Sequence, residues 1–327
     1  MNRREFVAAT AVATVAAGLT STAAESPATA DSADASSLIR KQRKPRYCLN
    51  TSTIRGQGLS LPEQVRVTAE AGYDAIEPWM RDLHQYVEQG GSLSDLKKQL
   101  DDAGLTVESA IGFAQWIVDD SAARLAGLEE ARRDMDLLRQ IGGKRIAAPP
   151  IGAQNAAGPP LQTIANRYRD LLEVGREQGV VPQLELWGFS KTLSRLSELA
   201  FVAVGAEHPD ACVLPDFYHI YKGGSEFAGL GMIAATRMHV FHINDYPANP
   251  PRETIQDAHR VFPGDGVCPL AETIAMLLRG GFEGCFSLEL FNPEYWKRDA
   301  LEVAREGLAK SQAVVAAALT RSVPEIS

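Results

Sequence analysis

Eight short apolar runs alternate with longer helical segments along most of this 327-residue chain. The runs are "RYCLNTS" from Arg46, "YDAIEPW" from Tyr73, "LTVESAIGF" from Leu105, "KRIAAPP" from Lys144, "VVPQLELW" from Val180, "CVLPDFY" from Cys212, "MHVFHIND" from Met238 and "GCFSLELF" from Gly284. Near-continuous apolar runs of this length read as strands buried on both faces, the pattern of a parallel sheet. Between them, stretches such as "SAARLAGLEEARRDMDLLRQ" carry the 3.6-residue period of amphipathic helices. Ser60 and Glu63 bracket Pro62 as a helix start, and Gly72 and Gly179 stand where helices close before the next strand. Eight such units within about 275 residues predict a closed (β/α)8 TIM barrel, one domain over residues 46–320. No GxGxxG follows the first strand, which argues against a dinucleotide-binding open sheet.

The ends of the chain read differently. Residues 1–24 place Arg3 and Arg4 before the short run "VAATAVATVAAGL" and the small residues "STAA". That is the layout of a secretory signal, and the paired arginines resemble the bacterial twin-arginine type. Residues 25–45 are polar, small and proline-bearing, which predicts a disordered linker. The expected product is an exported protein, periplasmic or extracellular, with no membrane span once the signal is removed. The net charge of -8, without a basic stripe, argues against nucleic acid and anionic membrane as partners and weakly favours a small molecule. The oligomeric state is open. Cys48, Cys212 and Cys285 lie inside apolar runs and no CxxC occurs, so neither a thiolate zinc site nor a structural disulfide is expected.

In a barrel of this kind, residues at the carboxyl ends of the strands share one pocket. The last four strands bring Glu185, Asp216 with His219, His242 and Glu289 to that level. A single strand-end glutamate is ordinarily a solvated rim residue, and a single buried histidine is ordinarily hydrogen-bonded core. Three carboxylates converging on one dry pocket, however, repel one another strongly without a cation. Glu185, Asp216, His242 and Glu289 therefore read as ligands of a divalent metal. The oxygen-rich set suits Mn2+ or Mg2+ first, with Co2+ or Zn2+ as alternatives.

These residues, with "DFYH" at 216–219, "HVFHIND" at 239–245, "PGDG" at 263–266 and "LEL" around Glu289, resemble the sugar isomerase/epimerase superfamily of xylose isomerase-like barrels over residues 46–315. Its relatives include ketose 3-epimerases and inosose dehydratases. The resemblance implies that Glu185 and Glu289 double as ligands and acid/base catalysts, that Asp216 and His242 fix the metal, and that His219 touches a substrate oxygen. It implies a metal-dependent isomerase or epimerase that abstracts a proton next to a carbonyl of a carbohydrate. The alternative is a dehydratase or lyase on a keto-sugar, keto-inositol or 3-keto-glycoside with the same metal site.

Further candidates line up around this core. Trp116 and Trp187 are expected to stack on the apolar face of a sugar, Lys191 and Lys222 to grip its polar groups, and Glu77, ending the second strand, to bind substrate. His239, out of phase with His242, is expected to pack against a helix. The chain departs from the ketose 3-epimerase pattern six residues after His242, where those enzymes carry an arginine and this chain has Ala248. Arg252 could replace it only by the loop folding back.

Overall fold

The computed structural model describes residues 44–322, which form a parallel eight-stranded barrel wrapped in helices. The expected signal at 1–24, and the expected linker up to residue 43, lie outside the described residues. Strand β1 (Arg46–Asn50) pairs with β2 (Ala75–Glu77) on one side and β8 (Cys285–Leu288) on the other. β3 (Thr106–Val107) follows β2, and β7 (Val240–Ile243) follows β8. β4 (Arg145–Ala148), β5 (Val181–Glu185) and β6 (Val213–Leu214) make the remaining arc. Two seams close the ring. Ala110, beyond β3, exchanges backbone hydrogen bonds of 3.1 and 2.8 Å with Arg145 and Ala147. Parallel bridges join Val213 to Met238 and Asp216 to His242. The short β6 has a local cause: Pro215 has no N–H to give, although its carbonyl still accepts from His242 N–H at 2.9 Å.

The outer layer follows the helical pattern. In α1 (Leu61–Ala71), Glu63 Oε2 accepts from the Ser60 N–H at 2.8 Å, and Gly72 closes the helix at φ 93°. The helix Leu161–Gln178 is tied to the barrel by the Tyr168 hydroxyl, 2.9 Å from the carbonyl oxygens of both Pro182 and Cys212. The last helix, Ala300–Ser322, buries Val303, Ala304, Val315 and Ala318 and accepts a hydrogen bond from Tyr73 at the Ala304 carbonyl. Among the described residues, no helix is long and apolar enough to cross a membrane.

At the amino-terminal ends of the strands, Glu108 accepts from Arg46 at 2.7 Å and Arg145 at 3.3 Å beside a polar cavity of about 280 Å3. His239 lines this cavity instead of packing against a helix as its sequence position suggested. Burial first, and then Arg145 and Arg237, push its pKa down to about 4. An unfolded histidine titrates near 6.5. Between these values the unfolded chain holds the extra proton, so this residue removes stability as pH falls from about 6.5 towards about 4. His239→Gln is expected to flatten part of that decline, read as urea midpoints at pH 7 and pH 4.5. An unchanged decline would assign the titration to other groups, His219 first among them.

Candidate active site

Asp216 lies two residues beyond β6, next to Pro215, and caps a short helix (Phe217–Lys222). Its Oδ1 accepts from the His219 N–H at 2.8 Å, and its Oδ2 accepts from Asn244 at 3.0 Å. His242, inside β7, turns Nε2 to Glu77 at 3.0 Å. Its Nδ1 lies 3.3 Å from Glu289 Oε2 and 3.6 Å from Asp216 Oδ2, without a hydrogen-bond partner. Ligand-type atoms of Asp216, His242 and Glu289 all fall within 4.8 Å of one another, and all three residues are buried. An imidazole nitrogen lacking a partner, set against two carboxylates, fits a divalent cation. Glu185 also reaches this pocket, with a buried Oε2 that has no hydrogen-bond partner, but it stands outside the three-residue group.

The partner that orients His242 is Glu77. Fully buried, its Oε2 also accepts from Ser287 Oγ at 2.6 Å and Asn50 Nδ2 at 3.0 Å. Glu77 does not line the mouth cavity, so its placement is behind the histidine and not against a substrate as expected. Burial opposes charge on both residues. For Glu77 the attraction and hydrogen bond of His242 outweigh it and hold the carboxyl below the usual range. For His242, Glu289 and Glu77 outweigh it and hold the imidazole well above its ordinary pKa.

The sequence reading missed Arg260. Its guanidinium is fully buried and donates from Nη1 to Asp216 Oδ2 and Glu289 Oε2, both at 2.8 Å. Its Nη2 donates to Asp257 at 2.6 Å and lies 3.1 Å from His219 Nε2. Burial and then this arginine depress His219 to a pKa of about 4, so the ring is neutral at pH 7. Arg260 arrives by a folded-back loop. Asp245 and Val261 form an antiparallel bridge, and the Asp245 carboxylate accepts from the N–H groups of Tyr246, Gly264, Gly266 and Cys268 at 2.8 to 3.1 Å. Gly266 is required by close approach: a Cβ there would sit 2.2 Å from the Tyr246 carbonyl oxygen. The signal for this arrangement lay in "HVFHIND" and "PGDG", which place Asp245 at the end of one motif and Gly264 and Gly266 in the other, with Arg260 between them.

A cavity of about 430 Å3 opens above these groups and is lined by Glu185, Trp187, His219, Arg260 and Glu289 among others. Trp116 is not among them. It is 1% exposed, packs on Tyr168 and donates its indole N–H to the Pro149 carbonyl at 2.9 Å, which corrects its expected place at the mouth. Lys191 is exposed and also outside the lining. Lys222 instead ties the loop after β7, with Nζ 3.0 Å from the carbonyl oxygens of Arg252 and Glu253. Arg252 is not part of the lining, whereas Arg260 and Arg55 are.

A closed parallel barrel with carboxylates, an imidazole and a guanidinium at the carboxyl ends of its strands defines a class. The chain belongs to the xylose isomerase-like TIM barrel family, whose profile matches residues 65–312. Among its relatives, the inosose isomerase of Bacillus velezensis is 25% identical over 274 residues, covering 83% of this chain and 97% of that one. The 3-dehydroshikimate dehydratase of Pseudomonas aeruginosa is 24% identical over 250 residues, 76% of this chain but 39% of that longer protein. A crystal structure of the IolI protein with a bound zinc atom is similar at a TM-score of 0.76 and 22% identity, covering 83% of this chain and 98% of that one.

Proposed function

We propose that this chain is a divalent-metal-dependent isomerase or epimerase that removes a proton from a carbon next to the carbonyl of a keto-sugar or keto-cyclitol. The observation that carries the reading is a pair of glutamates lining one cavity in opposed environments. Burial opposes charge on Glu289, but His242 and Arg260 outweigh it and keep its carboxyl ionised. Burial, reinforced by Glu289 and Asp216 against the pull of His242, pushes the Glu185 carboxyl well above its ordinary pKa and favours its protonated form. Two carboxyl groups with pKa values driven apart make a base and an acid.

In this reading Glu289 takes the proton from carbon, and the C–H electron pair moves toward the carbonyl, whose oxygen gains negative charge. Arg260 lines the same pocket, and although its N–H groups are given to Asp216, Glu289, Asp257 and His219, its positive charge would stabilise an oxyanion formed beside it. Glu185 returns a proton, and delivery to the opposite face inverts the carbon. A cation held by Asp216, His242 and Glu289 would supply Lewis-acid polarisation of the carbonyl. The donor set supports Mn2+ or Mg2+, and the zinc-bearing structural neighbour supports Zn2+ as an alternative. Export through the amino-terminal signal, part of the same proposal, would present free keto-sugars instead of sugar phosphates.

The protonated Glu185 also favours a second reading, as a dehydratase. The same acid would then protonate a β-hydroxyl, which leaves as water when the electron pair collapses into a carbon–carbon double bond. The dehydratase relative supports it. Metal-loaded enzyme with ketoses or inososes in heavy water, followed by NMR, separates the two. Isomerase or epimerase action puts deuterium at the carbon next to the carbonyl. Dehydration gives the unsaturated ketone. His242→Ala, lacking the ring nitrogen, is expected to lose most bound metal by elemental analysis and to give neither product. No exchange and no dehydration by the loaded wild type, with any ketose or inosose that it binds, would sink the proton-abstraction reading.

A further inference from the structure

The two arginines that line the cavity are held in opposite ways. Arg260 is bonded to the charged floor, to Asp216, Glu289 and Asp257. Arg55, half-buried, enters from the short helix Thr51–Gln57 after β1 and is held by rings. Its guanidinium carbon lies 4.9 Å from the ring centre of Trp79, 5.1 Å from Trp296 and 5.3 Å from Phe291. Among the described residues, no side chain or carbonyl accepts a hydrogen bond from the Arg55 guanidinium, and no carboxylate stands at ion-pair distance. Cation–π contacts use its charge and none of its five N–H donors.

The cage is fixed in place. The Trp79 indole N–H is given to Asn50 Oδ1 at 3.0 Å, and the Trp296 N–H to the Ser52 carbonyl at 3.0 Å. Trp296 can come this close because position 56 is glycine: a Cβ there would sit 2.2 Å from the Trp296 Cβ. The electrostatics say what the free N–H groups face. Burial and then Arg81, itself 5.4 Å from the Trp79 ring and bonded at Nε to Asp82, hold the Arg55 pKa below its ordinary value against the pull of Asp82 and Glu289. The surroundings therefore disfavour the charge of Arg55, and a divalent cation on the floor would disfavour it further. A sugar hydroxyl set against Arg55 would take up N–H groups but leave that charge uncompensated. An anion would do both. Phe291 places Arg55 near the chemistry, because Arg260 lies 5.1 Å from the same ring. A one-ring substrate with its carbonyl on the floor of this 430 Å3 cavity has its far substituent on the side of Arg55.

We infer that Arg55 binds a carboxylate carried by the substrate, so that the keto compound handled on the floor is a sugar acid or a carboxylated cyclitol and not a neutral sugar. A carboxylate can take two parallel N–H···O bonds from one guanidinium edge, which a hydroxyl cannot. The inference rests on the keto-sugar reading of the charged floor but is tested by binding alone. The probes are D-glucuronate and its neutral isostere D-glucuronamide, titrated calorimetrically into the metal-loaded protein freed of excess metal. Glucuronate is expected to bind at least about tenfold tighter, the scale of one hydrogen bond to a charged group. Arg55→Met should remove most of that advantage. Should this variant fail to fold by circular dichroism, Arg55→Lys keeps the charge among the rings but not the two-pronged edge, and should still lose part of it. Equal affinity for the two probes, no binding of glucuronate, or an advantage undiminished in the folded variant, which would assign the carboxylate to the metal, would overturn the inference. If the carboxylate preference depends on Arg55 but no keto compound exchanges deuterium or loses water, the anion subsite stands and the reaction is the part that fails. Exchange into neutral ketoses without a carboxylate preference has the reverse meaning.

Discussion

Glu289→Gln is expected to lower turnover at least about 100-fold, the usual scale for losing a positioned general base. Shape is nearly conserved, but hydrogen bonding is not. Glu289 accepts from Asn50 at Oε1 (3.1 Å) and from Arg260 at Oε2 (2.8 Å), whereas an amide offers one oxygen and turns its NH2 group to the other donor. A stability loss of about 1–3 kcal/mol should accompany the substitution. Turnover is therefore to be compared at temperatures where circular dichroism shows the variant fully folded. Full activity in the folded variant would remove Glu289 as the base and leave it as a ligand or a spacer.

Arg260→Met is expected to cost about 3–5 kcal/mol in the metal-free protein, because removing one member of a buried ion pair leaves the other charge uncompensated. Here Asp216 and Glu289, buried with the arginine, would both lose their nearest cation. A divalent cation that binds only the folded state should restore part of the loss in proportion to its saturation, through mass action. Urea denaturation with chelator and with added Mn2+ or Zn2+ measures both terms. A metal-free loss below about 1 kcal/mol would show that the carboxylates are satisfied without the arginine.

The barrel was legible because its strands are buried on both faces, which writes an apolar run into the sequence at every strand. Asp216, His242, Glu185 and Glu289 were legible for the same reason, since strand ends in a barrel must converge. What failed depended on contacts between distant segments. Glu77 appeared to be one more strand-end carboxylate, and only the barrel's closure brings it within 3.0 Å of His242, 165 residues away. Trp116 lies beyond a strand, but the path of the following loop turns it under the helices and not over the mouth. Arg260 is 18 residues past His242, and its arrival depends on how the intervening loop folds. Converging carboxylates need a cation, and the chain supplies one of its own, Arg260 in "HRVFPGDG", beside any metal.

The Asp245 knot has a consequence for how such a site can change. One carboxylate gathers four backbone N–H groups and, with the Asp245–Val261 bridge, fixes where Arg260 starts. The residues from Pro247 to Thr254 lie between the two anchored ends. Loop closure grows expensive only slowly with length. None of these residues lines the cavity, but the same loop runs on to Asp257 and Ala258, which do, so a change of length in that stretch can shift this edge of the cavity while the arginine and the paired glutamates keep their places. For anyone wishing to graft a new specificity onto this barrel, it is the segment to randomise, with Asp245 and Gly266 held constant.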